Sequence, residues 1–349
     1  MDKYTPEMIF LSIKIHHYMR SILFLFCLIV LNHQKSAAQT DSTYAERLGW
    51  PKGAKVLIMH VDDAGMSWDS NEGAIQALTK GVATSVSVMM PCGWVPGFVH
   101  QLKKNPSIDA GLHLTLTSEW DDYRWGPLSG KPAVPGLVDQ EGALWPEVED
   151  VVKNASADEV EKEILAQIAR ARQMGFEPTH MDSHMGTLFA SPAFLQRYIK
   201  VGIQERIPVM MPAGHCSMIA ETNKLDPFTL GLLRNAGKNL WSNGLPVLDD
   251  LHNETYGMKI PPGLSDQAMQ KLKTKLIIES FQRLKPGVTM LIVHCTAPSP
   301  IFKHISGSGD VRKSDLLAMQ SPELKAYLQK EGIVLTTWRE LMERRKKLK

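Results

Sequence analysis

An α/β fold made of parallel βαβ units is what this sequence predicts, and three observations predict it. Apolar runs of strand length recur along the chain. Four of them end on ionisable residues: VLIMHVDDAG (56–65) on Asp62-Asp63, the segment 109–117 through His113, the segment 176–184 on HMDSH, and VTMLIVH on His294. Stretches with helical periodicity separate these runs, and the clearest, 157–175, carries acidic residues early, basic residues late and Gly175 at its end. Strand, helix and strand alternate at the cadence of a parallel sheet.

Taken in order, the first strand opens after a polar lead at 44–53 and delivers Asp62-Asp63 into the Ala64-Gly65 turn. Residues 71–80 read as a helix closed by Gly81. A second strand at 85–90 ends on Pro91-Cys92-Gly93-Trp94, a helix follows at 95–104, and a third strand at 109–117 carries His113. From Ser118 to Trp145 the pattern breaks into a loop rich in Trp, Pro and Gly. A loop that long in a compact domain is usually functional. After helix 157–175 the chain returns to the sheet at 176–184. Helix 192–204 and a short strand at 208–212 come next, and residues 213–262 carry weaker signals around one helix at 228–240. Helix 267–284, strand 288–294, helices near 314–319 and 322–330, strand 333–336 and helix 338–346 complete the chain. With no internal repeat or low-complexity segment, a single domain over 39–349 is expected, its folded part beginning near residue 45.

Composition narrows the class. With 44% hydrophobic and 22% charged residues the chain reads as an ordinary globular protein. A net charge of +2 lacks the strongly basic balance of a nucleic-acid binder. The one dense basic run, RRKKLK at the C-terminus, suits a solvated helix end.

The first 38 residues read as a secretory signal. Arg20 precedes the apolar run ILFLFCLIVL, and Ser36-Ala37-Ala38 supplies the small residues of a cleavage site before Gln39. That run is shorter than the ~20 residues a membrane-spanning helix needs. Cys27 has no small-residue lipobox before it, so an exported chain without a membrane anchor is expected after cleavage near Ala38-Gln39; Met1 and Met19 both remain as starts. The mature chain keeps Cys92, Cys216 and Cys295, with no C-x-x-C spacing, so neither a disulfide framework nor a cysteine zinc site is expected. Three small buried apolar residues is the simplest reading, with one bridge still open to an oxidising compartment.

Ionisable groups thus gather at four strand ends: Asp62-Asp63, His113, His180/Asp182/His184 and His294. A barrel-like sheet brings such ends to one face, where a carboxylate and two imidazoles suit a divalent metal. Each has a plainer alternative. Asp62-Asp63 alone fits a turn that caps the next helix, and single histidines are often just half-buried structural residues.

The segments VDDAGMS, GLHLTLT and HMDSH, in this order and spacing, resemble the YdjC-like (ChbG/HpnK-type) carbohydrate deacetylases, relatives of the polysaccharide deacetylases. The closing stretch VRKSDLLAMQSPELKAYLQKEGIVLTTWREL also looks like that family's C-terminal region. The resemblance implies an irregular (β/α) barrel of the polysaccharide-deacetylase type. It also implies one divalent metal ion, magnesium or zinc, held by Asp63, His113 and His184, with Asp62 as catalytic base. The activity implied is removal of N-acetyl groups from an acetylated saccharide. In the mechanism so implied, the metal acidifies a water, Asp62 takes its proton and His294 protonates the departing amine. Two positions depart from the family pattern: Gly186 stands where a further histidine is common, and His294-Cys295-Thr296 where His-Pro-Gly is usual.

Asp182 either orients a ligand histidine or caps its turn. Trp94, Trp120, Tyr123 and Trp125 either line a sugar cleft or pack the long loop, and Arg124 pairs either with a substrate anion or with a loop carboxylate such as Asp121. Metal-dependent phosphoester hydrolysis on the same centre, or an inactive carbohydrate-binding relative, are the alternatives. Asp62 speaks against the latter, because a binding module needs no base.

Overall fold

β1 (Lys55–Ala64) is the hub of a parallel sheet, and every residue from Val56 to Ala64 is buried. A strand covered on both faces demands such an apolar run. The structure is a computed structural model and describes residues 42–348, so the signal read at 1–38 lies outside the described residues. On one side of β1 lie β2 (Ser85–Val88), β3 (Ala110–Leu114) and β4 (Met181–Ser183). On the other lie β5 (Asp250–His252) and β6 (Gly287–Val293), giving the order β4-β3-β2-β1-β6-β5. The two-residue β7 (Val334–Leu335) pairs with Val56 and Leu57, below the stretch of β1 that meets β2.

The ring closes through 208–213. Met181 bridges Val209, and Pro212 bridges Leu248 just before β5, so hydrogen bonding runs from β4 round to β5. The result is the expected irregular (β/α) barrel. A full strand at 208–212 does not form, because Pro208 and Pro212 lack the N–H groups a ladder uses.

Around the sheet run α1 (Trp68–Lys80), α2 (Val95–Lys104), α3 (Val148–Asn154), α4 (Ala157–Gln173), α5 (Pro192–Glu205) and α6 (Ser217–Asn223). They continue with α7 (Pro227–Ser242), α8 (Asp266–Phe281), α9 (Gly309–Met319), α10 (Pro322–Lys330) and α11 (Trp338–Lys347). Their starts follow from local chemistry. Ser67 caps α1, and a Ser156–Glu159 capping box opens α4. Sequence periodicity misses α3, α6 and β5, which are too short for a period to register, and overextends β3 and β4. Cys92, Cys216 and Cys295 are free and buried, as the apolar reading expects. Gly73 lets α1 approach the strand-end turn closely, since a Cβ there would stand 2.5 Å from Cys295 O. This contact seats the turn that carries His294.

Candidate metal and catalytic site

The chemistry of β1 comes from an irregularity in its pairing. Its register with β2 shifts between Val61 and Ala64, and Asp63 takes φ +66°. In a regular strand Asp62 and Asp63 would face opposite sides; a bulge re-aims one of them. Aspartate is among the few residues that adopt this left-handed conformation readily. Both carboxylates therefore face His113 of β3, whose Nε2 lies 3.2 Å from Asp63 Oδ1 and 3.8 Å from Asp62 Oδ2.

His184, just past β4, completes a trio. Its Nδ1 stands 3.4 Å from Asp63 Oδ1 and 3.1 Å from His113 Nε2. The outer nitrogen of each ring meets a carboxylate, His113 Nδ1 on Asp182 at 2.7 Å and His184 Nε2 on Glu119 at 3.1 Å. A carboxylate only accepts, so each ring donates outward and turns a lone pair inward. Arg312 of α9 donates to Asp63 Oδ2 at 2.6 Å, while Asp63 Oδ1 is buried with no hydrogen-bond partner among the described residues. Two lone pairs and an anionic oxygen at these distances repel one another unless a cation or proton sits between them. The donor set fits a divalent cation.

The proton affinities show the same tension. Burial opposes charge on His184, yet Glu119 and Asp63 lift it to about 9. Burial likewise opposes charge on His113, and Asp62 and Asp182 carry it well above the ordinary imidazole value. Burial works against the Asp63 anion, but Arg312 and the two imidazoles hold its carboxyl well below the usual range.

Asp62 stands beside this trio, accepting from Ser87 Oγ at 3.4 Å and lying 3.1 Å from His60 Nε2. His294, at the end of β6, places Nε2 3.9 Å from Asp62 Oδ2, and its backbone N–H donates to Asp315. Burial lowers the His294 imidazole below its ordinary value. Asp182 orients His113 and also contacts His60 at 2.8 Å, so the turn-cap alternative is not its role here.

The aromatic residues divide. Trp125 is buried and donates its indole N–H to Thr117 O; Tyr123 donates to Met66 O. Arg124 is occupied by Asp139, Glu141 and Leu144 O, not by Asp121. These three tie the long loop to itself and to the barrel. Trp120 is half-buried against Trp125, and only Trp94 of the five is well exposed, at 45%.

Sequence reasoning missed His60, Glu119 and Arg312. His60 was within reach, because it shares a strand face with Asp62 two residues on. Glu119 lies in an irregular loop, and Arg312 reaches the site from a helix 249 residues from Asp63, so neither leaves a local signal.

Comparison with known proteins points one way. The model of the family described as YdjC-like protein matches residues 56–330. A carbohydrate deacetylase of Thermus thermophilus is 31% identical over 302 residues, covering 85% of this chain and 97% of the relative. A carbohydrate deacetylase of Brevibacillus brevis is 35% identical over 288 residues, covering 82% and 99%. A solved structure from Enterococcus faecalis V583, described as a candidate cellobiose-phosphate cleavage protein, shares the fold with a TM-score of 0.64 at 22% identity, over 82% of this chain and 99% of that one.

Proposed function

The chain belongs to the YdjC-like family, and from that premise we propose that it is a metal-dependent carbohydrate N-deacetylase. The observation that carries this reading is the bulge at Asp62-Asp63, which sets the Asp62 carboxylate beside the trio Asp63, His113 and His184. Asp63, His113 and His184 would hold one divalent ion, zinc or magnesium. Such an ion supplies Lewis acidity toward a water and the acetyl carbonyl.

The remaining steps fall to the chain's own side chains. Asp62 takes a proton from the attacking water as its oxygen adds to the acetyl carbon. When the C–N bond breaks, the departing nitrogen needs a proton. A neutral His294 gains one through Asp62, 3.9 Å away, and delivers it to the amine. Acetate and a free amino sugar leave. His60 and Ser87 hold Asp62 in place, and Asp182, Glu119 and Arg312 fix the three ligands.

Residues 1–38 are read as a signal removed near Ala38-Gln39, which would export the catalytic domain at 39–349 without a membrane anchor. N-terminal sequencing of exported material that began upstream of the apolar run would contradict this. The activity is tested by acetate release from acetylated chito-oligosaccharides, run beside phosphate release from model esters, each with and without a chelator. Acetate alone, lost on chelation and restored by divalent metal, is the expected result. Phosphate release without acetate would replace this reading with the esterase one.

A further inference from the structure

We propose that Trp68 and Trp94 form a binding platform for a second pyranose ring of the substrate, so that the enzyme favours oligosaccharide chains over free acetylated monosaccharides. This rests on the deacetylase reading of the neighbouring site.

The two indoles meet edge to face, with ring centroids 5.6 Å apart, and are 50% and 45% exposed. Both stand at the barrel face that carries the donor trio. Trp68 opens α1 five residues after Asp63, a reach of at most about 18 Å of chain. Trp94 follows β2, and its backbone N–H donates to Gly65 O, two residues after Asp63. Asn71 of α1 donates to Trp94 O and accepts from Gly65 N, which joins the two tryptophan-bearing segments and the Asp63 turn rigidly. Asp69, next to Trp68, accepts from Ala297 and Ser299 beyond His294. The pair is thus fixed to the loops of β1, β2 and β6 together.

Two other tryptophans, the buried Trp125 and the half-buried Trp145, donate their indole N–H groups to Thr117 O and Gly136 O, whereas the fully buried Trp338 leaves its Nε1 without a partner among the described residues. Among the described residues neither Trp68 nor Trp94 gives its indole N–H to a protein acceptor. An apolar ring face with a free donor at its edge matches a pyranose, which offers C–H groups on its face and hydroxyls around its rim. A second copy of the chain is a poor occupant. Two half-exposed indoles offer on the order of 200 Å², whereas a stable interface needs about 800 Å² per partner.

Chito-oligosaccharides of one and three rings, titrated against the metal-loaded full chain, test the proposal by tryptophan fluorescence and by acetate release. We expect the three-ring sugar to quench fluorescence, and kcat/KM on it to fall about tenfold in Trp68→Ala and Trp94→Ala with little change on one ring. Trp68→Phe and Trp94→Phe keep a stacking face and should retain most of the rate. Equal losses on both sugars, or none on either, would overturn the platform. A wild-type chain that binds three rings through these tryptophans but releases no acetate would keep the platform and remove the deacetylase reading instead.

Discussion

The floor of the site and its rim are built on opposite rules. On the floor each proposed ligand is fixed by a second group: His113 by Asp182, His184 by Glu119, Asp63 by Arg312. On the rim, Trp94 is held by backbone contacts and Trp68 by its place at the start of α1, while both rings stay half in solvent. Buried charge is costly unless paired, so the floor must be over-determined to keep its geometry. An exposed ring carries no such cost and can be matched to whatever docks on it. Substitutions should therefore separate into those that dismantle the floor and those that only retune the rim.

The largest effect should come from the floor's first layer. His113→Ala or His184→Ala removes one of three protein ligands, and both the bound divalent ion and the activity should be lost while circular dichroism stays native. Metal retained at full stoichiometry in either variant would break the distinction.

One layer out the effect should shrink. Asp182→Asn and Glu119→Gln leave the ligands in place but loosen their orientation, and about a 10–100-fold loss in metal affinity is expected. Isothermal titration of the metal-free chain measures it. Wild-type affinity in both would show that the ligands need no outer carboxylate.

His294 sits between floor and rim, packed edge to face against the exposed Tyr256 with centroids 4.9 Å apart. His294→Ala should keep the metal and lower the rate on amides far more than on activated esters, whose leaving groups need no proton. Equal losses on both would make it a packing residue.

Stability separates a packed ring from a rim ring as well. Trp125→Ala empties a buried position and should cost about 3–5 kcal/mol. Trp68→Ala, on the rim, should stay within about 0.5 kcal/mol. Urea denaturation of the two variants sharpens the contrast, and comparable losses would erase it.

What the sequence discloses follows the same division. Asp62, Asp63, His113, His184 and His294 stand out in the sequence because strand-length runs end on or carry them, and parallel barrels gather such ends on one face. Among the described residues, one of three groups that could hold a metal consists of the three expected ligands, Asp63, His113 and His184; the other two draw on His60, His180, Asp182, Asp62 and again His113. Glu119 and Arg312 were not readable, because a loop residue and a helix residue acquire their meaning only from tertiary packing. The bulge at Asp62-Asp63 was half legible. Two adjacent carboxylates before a glycine suggested a turn, but convergence inside the strand needs the register shift that only pairing with β2 defines. In the 213–262 stretch, α6 and β5 went unread because a seven-residue helix and a three-residue strand leave no period to detect.

The division of labour between the adjacent carboxylates is tested most directly by Asp62→Asn, assayed for bound metal and for acetate release on one preparation. With Asp63, His113 and His184 untouched, the variant should keep one divalent ion per chain and lose roughly 10²–10⁴-fold in rate, the usual worth of a general base. An empty site, or a full site with the wild-type rate, would contradict the assignment of Asp62 as the base and Asp63 as the ligand.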